Sequence, residues 1–230
     1  MILVIYIQIT YVITLTNYNN MESLQKELYF KVADSDFELQ NCYRLRYKVY
    51  CEEKRWISPS DFPDKMERDE YDAKAVQVIA MNEDFKIVGT MRILREADFS
   101  RLPYQDHPAM NGNKVLADKA AELSRFVVTA DQSRYYVVKG LLRAVYQTSR
   151  KMGIDNWIFM YEPSLKRLLA SFKFYTDPVC LPTKYFGALT MVGLADIPKV
   201  EKVWRMNDPE TWKFYTNEMA MMFPATEIVT

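Results

Sequence analysis

The sequence has one histidine, His107, and six glycines among 230 residues. A lone histidine with no Cys-x-x-Cys pair excludes the common zinc ligand sets. The scarce glycines form no Gly-x-Gly-x-x-Gly run and no Walker loop, which excludes those two phosphate cradles. Cys42, Cys51 and Cys180 are odd in number and scattered. That pattern belongs to a reducing compartment without structural disulfides, so the cytoplasm is expected. Neither sign of charge prevails: Lys+Arg and Asp+Glu are 30 each, leaving no footprint for nucleic acid. Charge is missing altogether before Glu22. The run MILVIYIQITYVITLT lacks the basic start and cleavage site of a signal peptide, and it is short for a membrane span. Residues 1–20 are read as an apolar leader ahead of a natural start at Met21, or as an extra strand, with a membrane anchor as a third option. His107 sits in the Pro-containing stretch YQDHPAM and reads as a plain loop residue rather than a base.

What is present is a globular composition, 49% hydrophobic and 26% charged, read as a single domain over residues 21–230. LYFKVA (Leu28–Ala33) alternates as a strand, and Asp34, Ser35 or Asp36 can cap a helix over Phe37–Cys51. Leu39, Tyr43, Arg46 and Tyr50 share one face of that helix. Ile57–Asp72 is a Pro-punctuated loop. AVQVIAMN and KIVGTMRIL are strands of a hairpin turning through Glu83–Phe85, and Val88, Thr90, Arg92 and Leu94 lie on one side of the second. After a loop over Arg95–Asn113 come the strand AELSRFVV, a helix over Ser133–Met152, the strand IDNWIFMY and the helix PSLKRLLASF. Strand, long helix, strand implies a parallel pair. One or two strands in Val179–Val192 and a helical tail complete the chain. The expected class is α/β (α+β): a mixed sheet with an antiparallel first half and a parallel second half, flanked by helices.

Charge falls where apolar residues belong. Arg46, Arg92 and Arg125 each interrupt an apolar pattern, and Asp69, Asp72 and Glu122 are the acids expected to balance them. A buried ion cluster has to be neutral, because an unpaired buried ion costs several kcal/mol, roughly. In AELSRFVV, Glu122 and Arg125 are three residues apart. A regular strand would send them to opposite faces.

The segments RLRYKVYCEEKRW, ERDEYD, GTMRIL and AELSRFVV occur in the order seen in acyl-homoserine-lactone synthases, and they resemble the bacterial N-acyl amino acid synthases more closely. Both are groups of the GNAT acyltransferase superfamily. The resemblance covers about Leu39 to Val128, and the fold it implies reaches about Phe172. It is carried by Arg46, Trp56, Asp69, Asp72, Arg92, Glu122 and Arg125, with Tyr50 where the family usually has Phe. It implies that the charged residues shape the cleft for the acyl acceptor. It also implies two central parallel strands that splay apart, with a bulge in the first that re-aims a side chain. The splayed strand, at Phe126, Val127 and Val128, would hold a thioester and its pantetheine arm.

The activity so implied is amide formation: transfer of a long-chain acyl group from a thioester to the α-amine of an amino acid, tyrosine being the family's example. Glu122 is the expected base, with Arg125 beside it in the catalytic group. From Gln132 to Ile154 no residue is acidic, and Arg134, Lys139 and Arg143 with Gly140 are read as the phosphopantetheine and acyl carrier protein surface. The usual glycine-rich turn of the fold is absent there, which favours a carrier protein over coenzyme A. No metal or resident cofactor is expected. The alternatives are a lactone synthase using S-adenosylmethionine and a non-catalytic binding module on the same fold.

Overall fold

The protein is described from a computed structural model over residues 28–129, 134–185 and 188–217. The apolar leader at 1–20 and the expected helix start at Ser133 lie outside the described residues.

The chain opens with strand β1 (Tyr29–Val32) and helix α1 (Asp36–Tyr47). Ser35 caps α1 by accepting the Glu38 N–H, and Asp36 and Glu38 occupy its positive first turn. The helix does not run on to Cys51 as a regular α-helix. It widens into a π-helical segment over Lys48–Glu53, and the Trp56 N–H returns to the Tyr50 carbonyl at 2.8 Å. Strands β2 (Val76–Met81) and β3 (Ile87–Arg95) form the expected hairpin, with Phe85 at φ 57° in its turn. Strand β4 (Ala120–Val128), helix α2 (Arg134–Lys151), strand β5 (Asn156–Tyr161) and helix α3 (Pro163–Ser171) follow. The short strands β6 (Asp177–Pro178) and β7 (Thr183–Tyr185), strand β8 (Ala188–Asp196) and helices α4 (Ile197–Asn207) and α5 (Pro209–Thr216) complete it.

The eight strands form one sheet in the order β1-β2-β3-β4-β5-β8-β6, with β7 paired to β8. The parallel second half expected from the sequence shrinks to one pair, β4 with β5. Beyond it β8 runs antiparallel to β5, because the chain returns to the sheet along the β6–β7–β8 excursion rather than through another crossover helix.

Two features of β4 position the site. Its pairing with β5 spans only Ala120 to Glu122, although β4 continues to Val128 and β5 to Tyr161, so the two strands part just beyond Glu122. On its other side, Thr90 pairs with Val127 but Arg92 pairs with Ser124. Two β4 residues, Arg125 and Phe126, therefore oppose Met91 alone, which is a β-bulge, and Arg125 takes φ 54°. Leu123 and Phe126 both join the core under α2 although they are an odd step apart. Arg125 is thereby turned to the face that carries Glu122.

The sheet thus has two dissimilar faces. Under α2 lies the main apolar core, from Leu28 and Phe30 through Val137 and Leu141 to Trp157 and Trp204. The opposite face is covered by α1, the π-helical segment and the loops 57–72 and 96–117. Among the described residues no helix is long and apolar enough to cross a membrane.

Candidate active site

Three arginines converge on the loop-covered face. Arg46 comes from the last turn of α1, Arg92 from β3 and Arg125 from the bulge; all are at most 2% exposed. Arg46 grips Asp72 with both terminal nitrogens, each at 2.9 Å, and its Nε donates to Glu67 at 2.5 Å. Arg92 Nη1 donates to Asp69 at 2.6 Å and to Asp72 at 3.2 Å, while its Nε donates to Ser124 at 3.0 Å. Arg125 reaches Asp69 at 2.7 Å and Glu67 at 3.0 Å. Gln77 adds a fourth donor to Asp72 at 2.8 Å. Three cations and three carboxylates form a neutral, cross-linked network, the arrangement in which mutual attraction can offset desolvation.

The third acid is Glu67, not Glu122. This corrects the expected balance. Glu67 lies in a loop where nearly every neighbour is charged, so no periodicity marks it as buried, yet it is 1% exposed between Arg46 and Arg125. The loop is held for this purpose. Asp69 caps the 3-10 turn Glu70–Ala73 by accepting the Tyr71 N–H, and Asp72 reaches back to the Asp69 N–H at 2.8 Å. Burial alone would raise the Glu67 and Asp72 carboxyls. The facing arginines, Arg125 and Arg46 for Glu67 and Arg46 and Arg92 for Asp72, outweigh it and hold both below the usual carboxylate range.

Glu122 stands apart from this network. It is 1% exposed and forms no ion pair among the described residues; the Tyr104 N–H donates to its Oε2 at 2.9 Å. Burial raises its pKa to about 7, with the Tyr104 N–H, Arg92 and Arg125 offsetting part of the rise. A carboxyl tuned to neutrality, at the point where β4 and β5 separate, can take and release a proton under physiological conditions.

Tyr50, in the π-helical segment, pairs with Trp56, which follows it. Their rings stack at 5.7 Å, and a cavity of about 570 Å³ lies along the segment Cys51–Pro59 that carries Trp56. The Tyr50 hydroxyl and Arg92 Nη2 are buried without a protein partner. An unsatisfied buried donor costs about 1–3 kcal/mol.

The residues read as thioester and pantetheine contacts divide. Val127 packs in the small cluster with Tyr50 and Cys51, and Val128 lies opposite Gly89 at the strand end, whereas Phe126 belongs to the core under α2. Gly140 is packed beneath Phe30: a Cβ there would stand 2.1 Å from the ring. Lys139 and Arg143 face α5, their charges 4.4 and 4.7 Å from the Phe214 ring centre, and Arg143 Nη2 donates to the Asn217 carbonyl. Arg143 is 6% exposed and cannot serve as surface charge; of the basic residues proposed for docking, Arg134 alone opens α2 at the splayed end. His107 is a buried structural residue. Its Nε2 lies 3.2 Å from the Thr190 hydroxyl, Nδ1 accepts the Ala109 N–H, and burial lowers its pKa. Burial raises the Cys42 thiol and pushes Cys51 up to about 11, so neither is a ready nucleophile.

Residues 45–143 match the family described as an acetyltransferase (GNAT) domain. No curated protein sequence matches the chain. Solved structures are similar over most of its length. The acyl-homoserine-lactone synthase LasI aligns with TM-score 0.64 at 17% identity, over 75% of this chain and 91% of that one. BjaI, a CoA-dependent acyl-homoserine lactone synthase, aligns with TM-score 0.61 at 22% identity, over 79% and 89%. FeeM, an N-acyl amino acid synthase from uncultured soil microbes, aligns with TM-score 0.56 at 15% identity, over 77% and 94%. Residues 45–143 are thus similar to a GNAT acetyltransferase domain, and the chain has the fold of the acyl-homoserine-lactone synthases and FeeM.

Proposed function

We propose that the protein is an N-acyltransferase that moves a long-chain acyl group from a phosphopantetheine thioester to the α-amine of an amino acid, in the cytoplasm and without a resident cofactor. The observation that carries the reading is Glu122: a buried carboxyl with pKa near 7, at the mouth of the β4–β5 gap and beside a neutral ion network. An α-ammonium group must lose a proton before it can attack a thioester carbonyl. Glu122 accepts that proton, directly or through water. The amine then attacks, and N–H groups of the parted strand stabilise the oxyanion. The pantetheine thiolate leaves and is protonated.

Acyl carrier protein is proposed as the donor because no glycine-rich turn is present to hold a pyrophosphate closely. An amino acid acceptor is proposed because the Pro-containing loop from Trp56 to Asp69 forms a fixed wall, with Pro59 opening its 3-10 turn. Tyrosine is the first acceptor to try. The test supplies purified protein with long-chain acyl carrier protein and each of the twenty amino acids, or S-adenosylmethionine, followed by mass spectrometry. An N-acyl amino acid supports the reading. A lactone from S-adenosylmethionine with no amino acid product replaces it by the lactone synthase activity, and no acyl transfer to any acceptor leaves the binding module.

A further inference from the structure

We propose that Gln105 is a positioning residue for Glu122: its side chain folds the surrounding loop so that the Tyr104 N–H is held on the Glu122 carboxyl, where it favours the charged, proton-accepting form. The inference rests on Glu122 as the base in the reading above and adds the residue that aims its hydrogen bond.

Gln105 is 4% exposed, a place for an uncharged amide only when both of its ends are bonded. Both are. Its Oε1 accepts the Leu102 N–H at 2.8 Å, at the head of the 3-10 turn Pro103–Asp106, and its Nε2 donates to the Gly112 carbonyl at 3.1 Å. The Gly112 N–H returns to the Gln105 carbonyl at 3.0 Å, and Gly112 takes φ 77° in making the exchange. One side chain thus ties both ends of the segment from Leu102 to Gly112. Tyr104 lies inside that tie. Its ring is buried in the cluster with Leu94, Ile158 and Met160, and its hydroxyl accepts the Val115 N–H at 3.1 Å. The ring anchors the residue. The turn sets the direction of its N–H, which meets Glu122 Oε2 at 2.9 Å. Against the burial that raises the Glu122 pKa, this N–H is the largest offset, ahead of Arg92 on β3 and Arg125 on β4, while Asp69 adds to the rise. The Tyr71 and Tyr104 phenols also face Glu122, and burial raises both, so they stay neutral where Glu122 titrates. Asp106, in the same turn, is engaged by Arg101, and His107 beyond it by Thr190. Loosening the turn therefore removes one identified influence on Glu122 and leaves the charges around it in place.

The experiment is a carbon NMR titration of the full chain carrying carboxyl-labelled glutamate, with the Glu122 signal assigned by its loss in Glu122→Gln. Gln105→Met keeps the length of the side chain and removes both of its bonds. The Glu122 midpoint should rise by about one pH unit in this variant, the change expected when a carboxylate loses one hydrogen bond. Gly140→Ala disturbs packing under α2, on the other face of the sheet, and should leave the midpoint where it is. The Tyr104 amide of the unaltered chain should shift with the same midpoint as the carboxyl, a reading that does not depend on the variant folding. In turnover, kcat/KM of Gln105→Met should fall about fivefold at pH 7 and recover toward the wild-type plateau at higher pH. An unchanged or lowered midpoint in Gln105→Met overturns the proposal. So does a Tyr104 amide that ignores the titration of Glu122, or a rise that Gly140→Ala reproduces. A wild-type midpoint near the ordinary 4.5 that still rises in Gln105→Met upholds the positioning and removes the neutral-tuned base.

Discussion

Glu122 shows how one position can carry opposite demands. Stability favours its neutral form and catalysis its charged form. Its folded pKa of about 7 lies above the ordinary value of 4.5, so the folded state holds a proton that the unfolded state has lost between those two values. Stability therefore falls as pH rises from about 4.5 to about 7, by up to roughly 3 kcal/mol. Glu122→Gln keeps the shape and can still accept the Tyr104 N–H. It should match the wild type in urea melts at pH 5 and exceed it at pH 8, and a gap that does not widen with pH would remove the buried, neutral-tuned carboxyl. The same variant should lose about 10²-fold or more in kcat/KM, while wild-type kcat/KM should rise through an apparent pKa near 7. Residues of this kind are legible in a sequence when a charge breaks an apolar pattern, as Arg46, Arg92, Arg125 and Glu122 do. Glu67 was not legible. It stands in MERDEYD, where charge is the rule, and its burial follows from two arginines that reach it from α1 and from the bulge.

At the scale of elements, the bulge in β4 and the capped 3-10 turn at Glu70–Ala73 cooperate to close the ion network. The resemblance implied the bulge, and the bulge resolves the odd spacing of Glu122 and Arg125. The π-helical segment after α1 left no signature, because its residues fit an ordinary helical face up to Tyr50. Glu67 holds two of these elements together, so Glu67→Gln should leave Arg46 and Arg125 partly uncompensated. A loss of about 3–5 kcal/mol, the range for breaking a buried pair, should appear as a lower urea midpoint; an unchanged midpoint would mean the network does not hold the loop. Both Glu67 and Asp72 have lowered pKa values, so the stability they confer is present above the unfolded carboxylate pKa and is lost as pH falls further. Acid unfolding should therefore begin below about pH 4 and be blunted in Glu67→Gln. Gly140 tests the packing of α2 on β1. Gly140→Ala should cost about 1–3 kcal/mol through its clash with Phe30, and Phe30→Leu should restore much of the loss. If Gly140→Ala melts normally but weakens the acyl donor, Gly140 belongs with the pantetheine contacts after all.

At the scale of the whole molecule, the sheet divides labour between its faces: apolar packing under α2, charge and loops over the opposite side, and a gap between β4 and β5 joining the two. The antiparallel first half was legible from alternation and turn residues. The antiparallel return of β8 was not, because strand direction after a long irregular connection is set by tertiary pairing. The basic helix shows the same limit. Its sequence lacks acids, yet neighbouring elements supply them or cover it: Arg150 pairs with Asp155 and Glu201, and Arg143 is buried against α5. What remains for a carrier protein is half-exposed Arg134 and Lys139 and exposed Lys151, of which Arg134 stands at the start of α2. Because α2 follows β4, this positive helix end lies where β4 leaves β5, the end at which a pantetheine arm would enter. Arg134→Glu should raise KM for acyl carrier protein severalfold at low ionic strength. The effect should fade toward 1 M salt, where the screening length falls to about 3 Å. A short acyl-pantetheine thioester carries no acidic protein surface and should be unaffected. If the variant raises KM for both donors equally, Arg134 acts on the thioester arm itself and docking must use another face.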